Sequence, residues 1–244
     1  MSESGYEDPR LAALYNALNP WGPSDDHYLG LIREAGSVLD LGCGTGQLLK
    51  RAVAEGHRGP LVGVDVAAAM LEVARRGGEG VDWRQGDART VDLGRRFELV
   101  VMTSHAFQEH LTDDDLRAVL GTVRRHLEPD GRVAFETRNP AAREWERWDG
   151  ALSRVETPGG EVVEVEYGDV RFRPPDLVDL STTCRFSDPA RTFTIGGSLR
   201  FVDPGHLRGL LHEAGFRIDG WWGDWDRTPF SGSSPEVVVL ARAA

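Results

Sequence analysis

Apolar residues in this 244-residue chain follow two patterns, and the change falls near residue 151. Before it, short apolar runs alternate with stretches of helical spacing. The predicted strands are residues 37–41, 60–64, 81–85, 97–102 and 132–137, of which 97–102 is apolar almost throughout. An apolar run without alternation predicts a strand buried on both faces. Residues 47–55, 67–76 and 112–127 carry helical spacing, and Thr112 caps the last with Asp115 three residues on. Pro129-Asp130-Gly131 predicts a turn before the fifth strand. Upstream, residues 11–18 predict a short amphipathic helix, and Asn19-Pro20-Trp21-Gly22-Pro23 a turn. Ser24 is the expected N-cap of a second helix to about residue 35, with Asp25 and Asp26 in its first turn.

After residue 151 apolar and polar residues alternate, as in Glu161-Val162-Val163-Glu164-Val165-Glu166-Tyr167 and Thr192-Phe193-Thr194-Ile195. Turn signals at Pro158-Gly159-Gly160 and Asp188-Pro189 punctuate the stretch. Period-two alternation predicts three or four antiparallel strands. Asp203 and Pro204 then open a helix as N-cap and first residue, and Gly215 ends it. Residues 216–222 and 237–241 supply two more core strands. The expected fold is α/β: a doubly wound, mostly parallel seven-stranded sheet with a small antiparallel β insertion. The divisions fall at 1–36 (N-terminal helical segment), 37–150 (core), 151–202 (insertion) and 203–244 (completion of the core).

Charge narrows the partners. The net charge is −11, and no Lys/Arg-rich run is present. A protein gripping a phosphate backbone or an anionic membrane needs a basic surface, so neither is expected as a partner. Cys43 and Cys184 show no CxxC and no metal-ligand spacing, so reduced thiols and no metal site are expected. Residues 1–9 are polar and acidic, and no apolar stretch reaches the length of a membrane span. A cytoplasmic location is the expectation.

The chemistry concentrates at Val38-Leu39-Asp40-Leu41-Gly42-Cys43-Gly44-Thr45-Gly46, which follows a strand and opens a helix. The spacing is G-x-G-x-G, more compact than the G-x-G-x-x-G of a dinucleotide site. Asp40 beside this turn repels a pyrophosphate but suits a cationic amine. Asp65 ends the second strand, where a carboxylate accepts from a ribose diol. Asp87 follows the third strand, placed to accept from an adenine amino group while the Ala88 N–H donates to a ring nitrogen. Three acids at the ends of three successive strands fit the rule that ligands bind above those ends.

These motifs, in this order, resemble the class I S-adenosylmethionine (SAM)-dependent methyltransferases. Val38 to Gly46, Val62 to Met70, Gly86-Asp87-Ala88, Glu98 to Met102 and Leu127 to Arg132 match the family's successive core motifs. The resemblance implies a Rossmann-like methyltransferase fold with SAM as cofactor. It implies that Gly42 and Gly44 pass under the methionine part, with Gly46 helping the turn. Asp40 would hold the amino group, Asp65 the ribose, Asp87 and Ala88 the adenine, and Thr103 would lie near the sulfonium. Tyr15, Asn19 to Asp26 and Tyr28 resemble the N-terminal lid of small-molecule methyltransferases, amino-sugar N-methyltransferases among them. Residues 223–226, 229–230 and 234–236 resemble the tail of the same group. Tyr15 is the candidate for the SAM carboxylate.

Methyl transfer from a sulfonium needs alignment and exclusion of water more than activation. A neutral amine needs no base, whereas a phenol or alcohol benefits from one. His105, on the loop leaving the fourth strand, is the candidate base, and its alternative role is a hydrogen bond within that loop. Glu109 and His110 are expected to be solvated loop residues. Glu136 and Arg138 end the fifth strand. Arg138 is a candidate for an anionic substrate group, or else the partner of a neighbouring acid. Trp21 and Trp225, in loops, are candidates for a substrate pocket, and Trp221 and Trp222 for the core. Glu156, Glu161, Glu164 and Glu166 are expected on a solvated strand face. The insertion is expected to bind the acceptor or to build a homodimer contact. The leading reading is a methyltransferase acting on an N or O nucleophile of a small molecule. Its alternatives are a SAM-binding module without turnover and a nicotinamide-dependent oxidoreductase. A nucleic-acid methyltransferase is opposed by the acidic charge and by the absence of an Asn/Asp-Pro-Pro-aromatic motif after the fourth strand.

Overall fold

The computed structural model describes residues 5–157 and 159–244. Pro158 of the expected insertion turn, and residues 1–4 of the polar N-terminus, lie outside the described residues. The strands, in chain order, are β1 (Val38–Leu41), β2 (Leu61–Asp65), β3 (Asp82–Gln85), β4 (Phe97–Met102), β5 (Leu127–Arg138), β6 (Leu152–Glu156), β7 (Val162–Arg173), β8 (Leu177–Arg185), β9 (Phe193–Arg200), β10 (Phe216–Trp222) and β11 (Glu236–Ala243). The helices are α1 (Pro9–Leu18), α2 (Pro23–Arg33), α3 (Gln47–Ala54), α4 (Ala68–Arg75), α5 (Asp113–His126) and α6 (Pro204–Glu213). The main sheet has seven strands in the order β10-β11-β5-β4-β1-β2-β3, and β6-β7-β8-β9 form a separate four-stranded antiparallel sheet. β1 to β5 pair in parallel, while β11 runs antiparallel between β5 and β10.

The central strands are buried on both faces because alternate residues meet different helices. Leu39, Leu41, Val100, Met102, Val133 and Phe135 pack with α5 and α6. Val38, Leu99, Val101 and Ala134 pack with α2 and α3. This parity also fixes the polar residues. Asp40, Glu136 and Arg138 fall on the α2 side, and the β5/β11 register sets Glu236 opposite Arg138. Three acids of different strands thus reach one face near the same end of the sheet.

Two local expectations are corrected. Gly22, not Ser24, is the N-cap of α2, because Pro23 takes the first helical position and Gly22 N–H donates to Asp25 Oδ2 at 2.8 Å. Residues 129–131 do not separate helix from strand. β5 already starts at Leu127, and the pairing shifts between Phe97↔Leu127 and Leu99↔Arg132, so Glu128 to Gly131 bulge out of the ladder. The other caps follow the sequence: Asp115 N–H donates to Thr112 Oγ1 at 3.1 Å and His206 N–H to Asp203 Oδ1 at 2.9 Å.

The second sheet leaves the core after β5 and returns before α6. Both ends of this excursion meet one buried side chain. Gln108 accepts from Arg138 Nη1 at 2.9 Å through Oε1, and its Nε2 donates to the Arg200 carbonyl at 2.8 Å. Arg200 adds ion pairs to Asp113 at the start of α5 and to Asp176. Glu161, Glu164 and Glu166 form exposed pairs with Arg191, Arg154 and Arg185, as a solvated face requires. Cys43 and Cys184 are buried free thiols. Among the described residues no helix is long and apolar enough to cross a membrane, and no group of three or more His, Cys, Asp or Glu is arranged to hold a metal ion.

Candidate active site

β1 runs at its carboxyl end into the glycine turn. Gly42, Gly44 and Gly46 have φ of +82°, +54° and +72°, a region that residues with a Cβ rarely adopt. A Cβ on Gly42 would stand 2.8 Å from the Ala106 Cβ, so the turn packs directly against the loop after β4. At Gly46 the Trp83 ring fills the space, 2.2 Å from where a Cβ would be. That glycine accommodates the β3 indole as well as helping the turn. Above Gly44 lies Tyr15 of α1, whose ring is 3.8 Å from the Cβ position. A hydrogen bond of 2.5 Å from Thr45 Oγ1 to Asn16 Oδ1 ties α1 over the turn.

The three acids expected at the strand ends stand in different states. Asp65 accepts from Gly44 N–H at 2.7 Å and from Ala67 N–H at 2.8 Å, one bond to each oxygen. This fixes the carboxylate and leaves a lone pair on each oxygen for a further donor. Asp87 is gripped by Arg89 through both oxygens, and Arg89 also reaches Asp115 at 2.7 Å. The guanidinium holds Asp87 below the usual carboxylate range. Ala88 packs against the main core. Asp40 is 1% exposed, and its Oδ1 has no hydrogen-bond partner among the described residues. Burial, with Asp65 and Glu136 adding repulsion, pushes its pKa up to about 8.

The loop after β4 is held in an unusual backbone. Ser104 and His105 have φ of +54° and +60°, which costs roughly 1–2 kcal/mol per residue for a side chain with a Cβ. Two acids secure it. His105 N–H donates to Glu136 Oε1 at 2.6 Å, and His105 Nε2 lies 3.0 Å from Glu236 Oε1. Tyr28 of α2 donates its hydroxyl to the other Glu136 oxygen. Burial pushes the His105 ring down to about 3, and Arg138 adds to this, so the imidazole is neutral. Burial pushes Glu236 up to about 7. The His105 hydrogen bonds do not stay within the loop, as the alternative role would have it, but tie the loop to β5 and β11. Thr103 accepts from Ala106 N–H at 3.1 Å and so starts the turn.

This Tyr28–Glu136–His105–Glu236 chain is invisible in the linear sequence, since Tyr28 and Glu136 are 108 residues apart and His105 and Glu236 131. Strand parity at β5 and β11 is the signal that places the two acids. Ser104, hydrogen-bonded to the Tyr15 hydroxyl, was likewise not singled out. Burial raises Tyr15 to about 12, so it remains a phenol.

The loop residues expected to be merely solvated divide. His110 packs its ring edge-on against Phe107 at 6.5 Å and is half-buried. Burial lowers its pKa to about 4. Glu109 is exposed, yet it feels Arg138 and Asp65 and acts in turn on Tyr6 and Tyr15. Tyr6, ahead of α1, sits edge-on to Tyr15 at 5.9 Å and is also influenced by Arg138 and Tyr167. These residues of α1, its lead-in, the β4 loop and β7 act on one another electrostatically, and the surface between them where Ser104 and Glu109 are exposed is the candidate cleft.

Arg138 pairs with Glu144 at 3.0 Å and lies 5.1 Å over the Trp148 ring. It is therefore held by a neighbouring acid, as one of its two expected roles requires. Trp21 donates to Asp26 Oδ1 at 2.8 Å and has Arg51 over its ring, contacts that lie with α2 and α3. Trp225 lines a surface pocket of about 440 Å³ with Pro23, His27 and Arg227. Trp225 also stands edge-on to Tyr28 at 6.1 Å, behind the hydroxyl that bonds Glu136. Trp221 packs against the core, as expected. Trp222 is only half-buried, set against His27 and Arg227, because its ring folds back over Gly220.

A family model described as a methyltransferase domain matches residues 38–131. The dTDP-3-amino-3,4,6-trideoxy-alpha-D-glucopyranose N,N-dimethyltransferase of Streptomyces venezuelae is 36% identical over 189 residues, 74% of this chain and 71% of that protein. The chain belongs to the class I SAM-dependent methyltransferases. This methyltransferase is also 33% identical to the dTDP-4-amino-2,3,4,6-tetradeoxy-D-glucose N,N-dimethyltransferase of Saccharopolyspora spinosa, over 54% of its own length and just over half, 56%, of that relative. In three dimensions it is similar to SAM-bound CalS10, an amino pentose methyltransferase from Micromonospora echinaspora, with a TM-score of 0.71, 25% identity and 95% of each chain covered. The family assignment displaces the oxidoreductase alternative.

The residues present fit SAM. At Gly44 the turn itself carries no side chain and faces the Tyr15 ring, and Asp40 has a buried carboxyl oxygen with no partner among the described residues, suited to an ammonium group. Asp65 keeps its remaining lone pairs at the end of the adjacent strand.

Proposed function

We propose that this methyltransferase transfers methyl groups to the amino group of a small molecule, of the amino-sugar type on which its relatives act. The observation that carries the reading is the cleft's lining. Asp40, Asp65, Glu109 and Glu136 gather where the glycine turn meets the β4 loop, and Arg138 is already neutralised by Glu144. Such a lining favours cationic over anionic acceptors.

SAM supplies a methyl group already activated by sulfonium charge. In this reading Gly42 and Gly44 let its methionine part approach the main chain, and Asp40 holds the amino group. Asp65 takes the ribose hydroxyls, and Asp87 and Ala88 the adenine. Tyr15 reaches the carboxylate, and Thr103 lines the methyl side. α1 and its lead-in act as the lid, and the four-stranded sheet supplies the far wall through Tyr167. His105 positions the β4 loop. Excluding water and aligning the acceptor nitrogen with the methyl group is the main work of these walls.

The test is calorimetric titration with SAM, followed by product analysis with dTDP-amino sugars and matched hydroxyl-only sugars. Micromolar SAM binding, weakened about tenfold or more in Asp65→Ala as hydrogen bonds to a charged group are lost, with methylation of the amino compounds alone, supports the reading. Methylation of hydroxyl-only sugars overturns the amine assignment. Tight SAM binding with no transfer to any acceptor marks a module without turnover.

A further inference from the structure

We propose that Glu109 is the carboxylate that binds the acceptor's ammonium group and takes its proton before transfer. This rests on the amine reading above and deepens it.

Glu109, like Glu7 of the lead-in to α1, which also acts on Asp65, differs from the other acids around the cleft, and unlike Glu7 it belongs to the β4 loop that packs on the glycine turn. Asp65 is committed to Gly44 and Ala67, Asp87 to Arg89, Glu144 to Arg138, Glu136 to Tyr28 and His105, and Glu236 to His105. Asp40 is sealed beneath the turn. Glu109 is exposed, and its carboxylate has no hydrogen-bond or ion-pair partner among the described residues. It nevertheless stands in a fixed place. It ends the short 3-10 turn Ala106–Glu109, whose first residue abuts Gly42 and whose third, Gln108, is buried and bonded at both ends. The left-handed backbone at Ser104 and His105 launches this turn and is held by two buried acids. Strain secured in this way is typical of segments that aim a group at a ligand.

The surroundings suit an ammonium ion. Tyr6 and Tyr15, edge-on to each other at 5.9 Å, both lie within electrostatic reach of the carboxylate, and aromatic side chains stabilise cations. The charged and titratable groups that act on Glu109 are Arg138 and Asp65, and it acts in turn on Tyr6 and Tyr15. Although its side chain is open on the cleft side, the protein around it desolvates the carboxylate and raises its pKa to about 7, the range in which a carboxylate exchanges protons with an amine at neutral pH.

The step balances. The acceptor arrives as R–NH3+, and one proton passes to a Glu109 oxygen. The freed nitrogen lone pair forms the N–CH3 bond as the methyl–sulfur bond breaks, and that bonding pair goes to sulfur. The products are a methylated ammonium, which carries the positive charge, S-adenosylhomocysteine, and protonated Glu109, which returns its proton to solvent.

The experiment compares wild type, Glu109→Gln and Glu109→Asp in kcat/KM for a dTDP-amino sugar from pH 6 to 10. Calorimetry of acceptor binding in the presence of S-adenosylhomocysteine accompanies it. In wild type the rate rises as Glu109 ionises near pH 7. Glu109→Gln is expected to bind SAM as wild type does but to lose about a hundredfold in kcat/KM at pH 7. Its activity returns only at alkaline pH, where the ammonium loses its proton to solvent unaided, and its acceptor affinity falls about tenfold. Glu109→Asp lies between them with the wild-type pH limb retained. A Gln variant with the wild-type pH profile and a rate within about threefold of wild type overturns the inference while leaving the amine reading intact. A wild type that methylates hydroxyl-only sugars and no amine overturns both.

Discussion

Asp40 makes a prediction about protons. Its carboxyl is buried, has an unpartnered oxygen, faces the carboxyls of Asp65 and Glu136, and neighbours Tyr28 and Cys43. A group titrating at about 8 is about nine-tenths protonated at pH 7. If it must ionise to hold the ammonium of SAM, binding at pH 7 should release about 0.9 proton. Because its folded value lies above the ordinary one, the SAM-free protein binds more protons than the unfolded chain between pH 3.8 and about 8. Its stability therefore falls as pH rises through that window, and the ligand's positive charge recovers the loss. The same linkage makes SAM binding about twentyfold tighter at pH 7.5 than at pH 6. Calorimetry in buffers of different ionisation enthalpy counts the protons directly. Repeating it in Glu109→Gln removes one of the two other carboxyls that titrate in this range, and Glu236→Gln removes the second. Asp40→Asn should bind with no proton release and little pH dependence, about 10- to 100-fold more weakly at pH 7.5. Zero proton release in wild type, or the same pH slope in Asp40→Asn, would refute the reasoning.

Other expectations follow from the same geometry. Glu136→Ala strands the Tyr28 hydroxyl and the His105 N–H in a buried site, at a cost of about 3–5 kcal/mol in urea unfolding, whereas Glu136→Gln keeps the His105 bond through its oxygen, reverses the other so that its amide donates to the Tyr28 oxygen, and costs about 1. Near-equal losses for the two would remove Glu136 from the network. Gly42→Ala combines a left-handed φ with a Cβ 2.8 Å from Ala106. It should lose about 2–4 kcal/mol, against about 1 for Gly94→Ala, which has a positive φ but open space. Only the Gly42 variant should also weaken SAM binding, read by calorimetry.

The sheet was legible because a doubly wound fold writes itself locally: apolar runs such as Phe97–Met102 can only be strands buried on both faces, and caps such as Thr112 and Asp203 sit where the helices begin. Asp40, Asp65 and Asp87 were legible because each lies at the carboxyl end of a strand: Asp40 one residue before the end of β1, Asp65 last in β2 and Asp87 two residues past β3. Their states were not, since Arg89's grip on Asp87 and Asp40's isolation depend on packing. Glu109 was read as solvated because exposure to bulk water and exposure to a cleft leave the same mark on a sequence. The α2 start moved to Gly22 because proline's preference for the first helical position outweighed serine's for the cap.

Gln108 has one more consequence. By holding Arg138 and the Arg200 carbonyl with a single amide, it brings the two ends of an excursion of about sixty residues to one point. Closure entropy grows only logarithmically, about 0.6 kcal/mol for each doubling of length. Lengthening, shortening or exchanging what lies between therefore costs the rest of the molecule little, provided both ends still meet that amide. Natural selection can treat the second sheet as a graft, altering which acceptor is met while inheriting the donor groove unchanged.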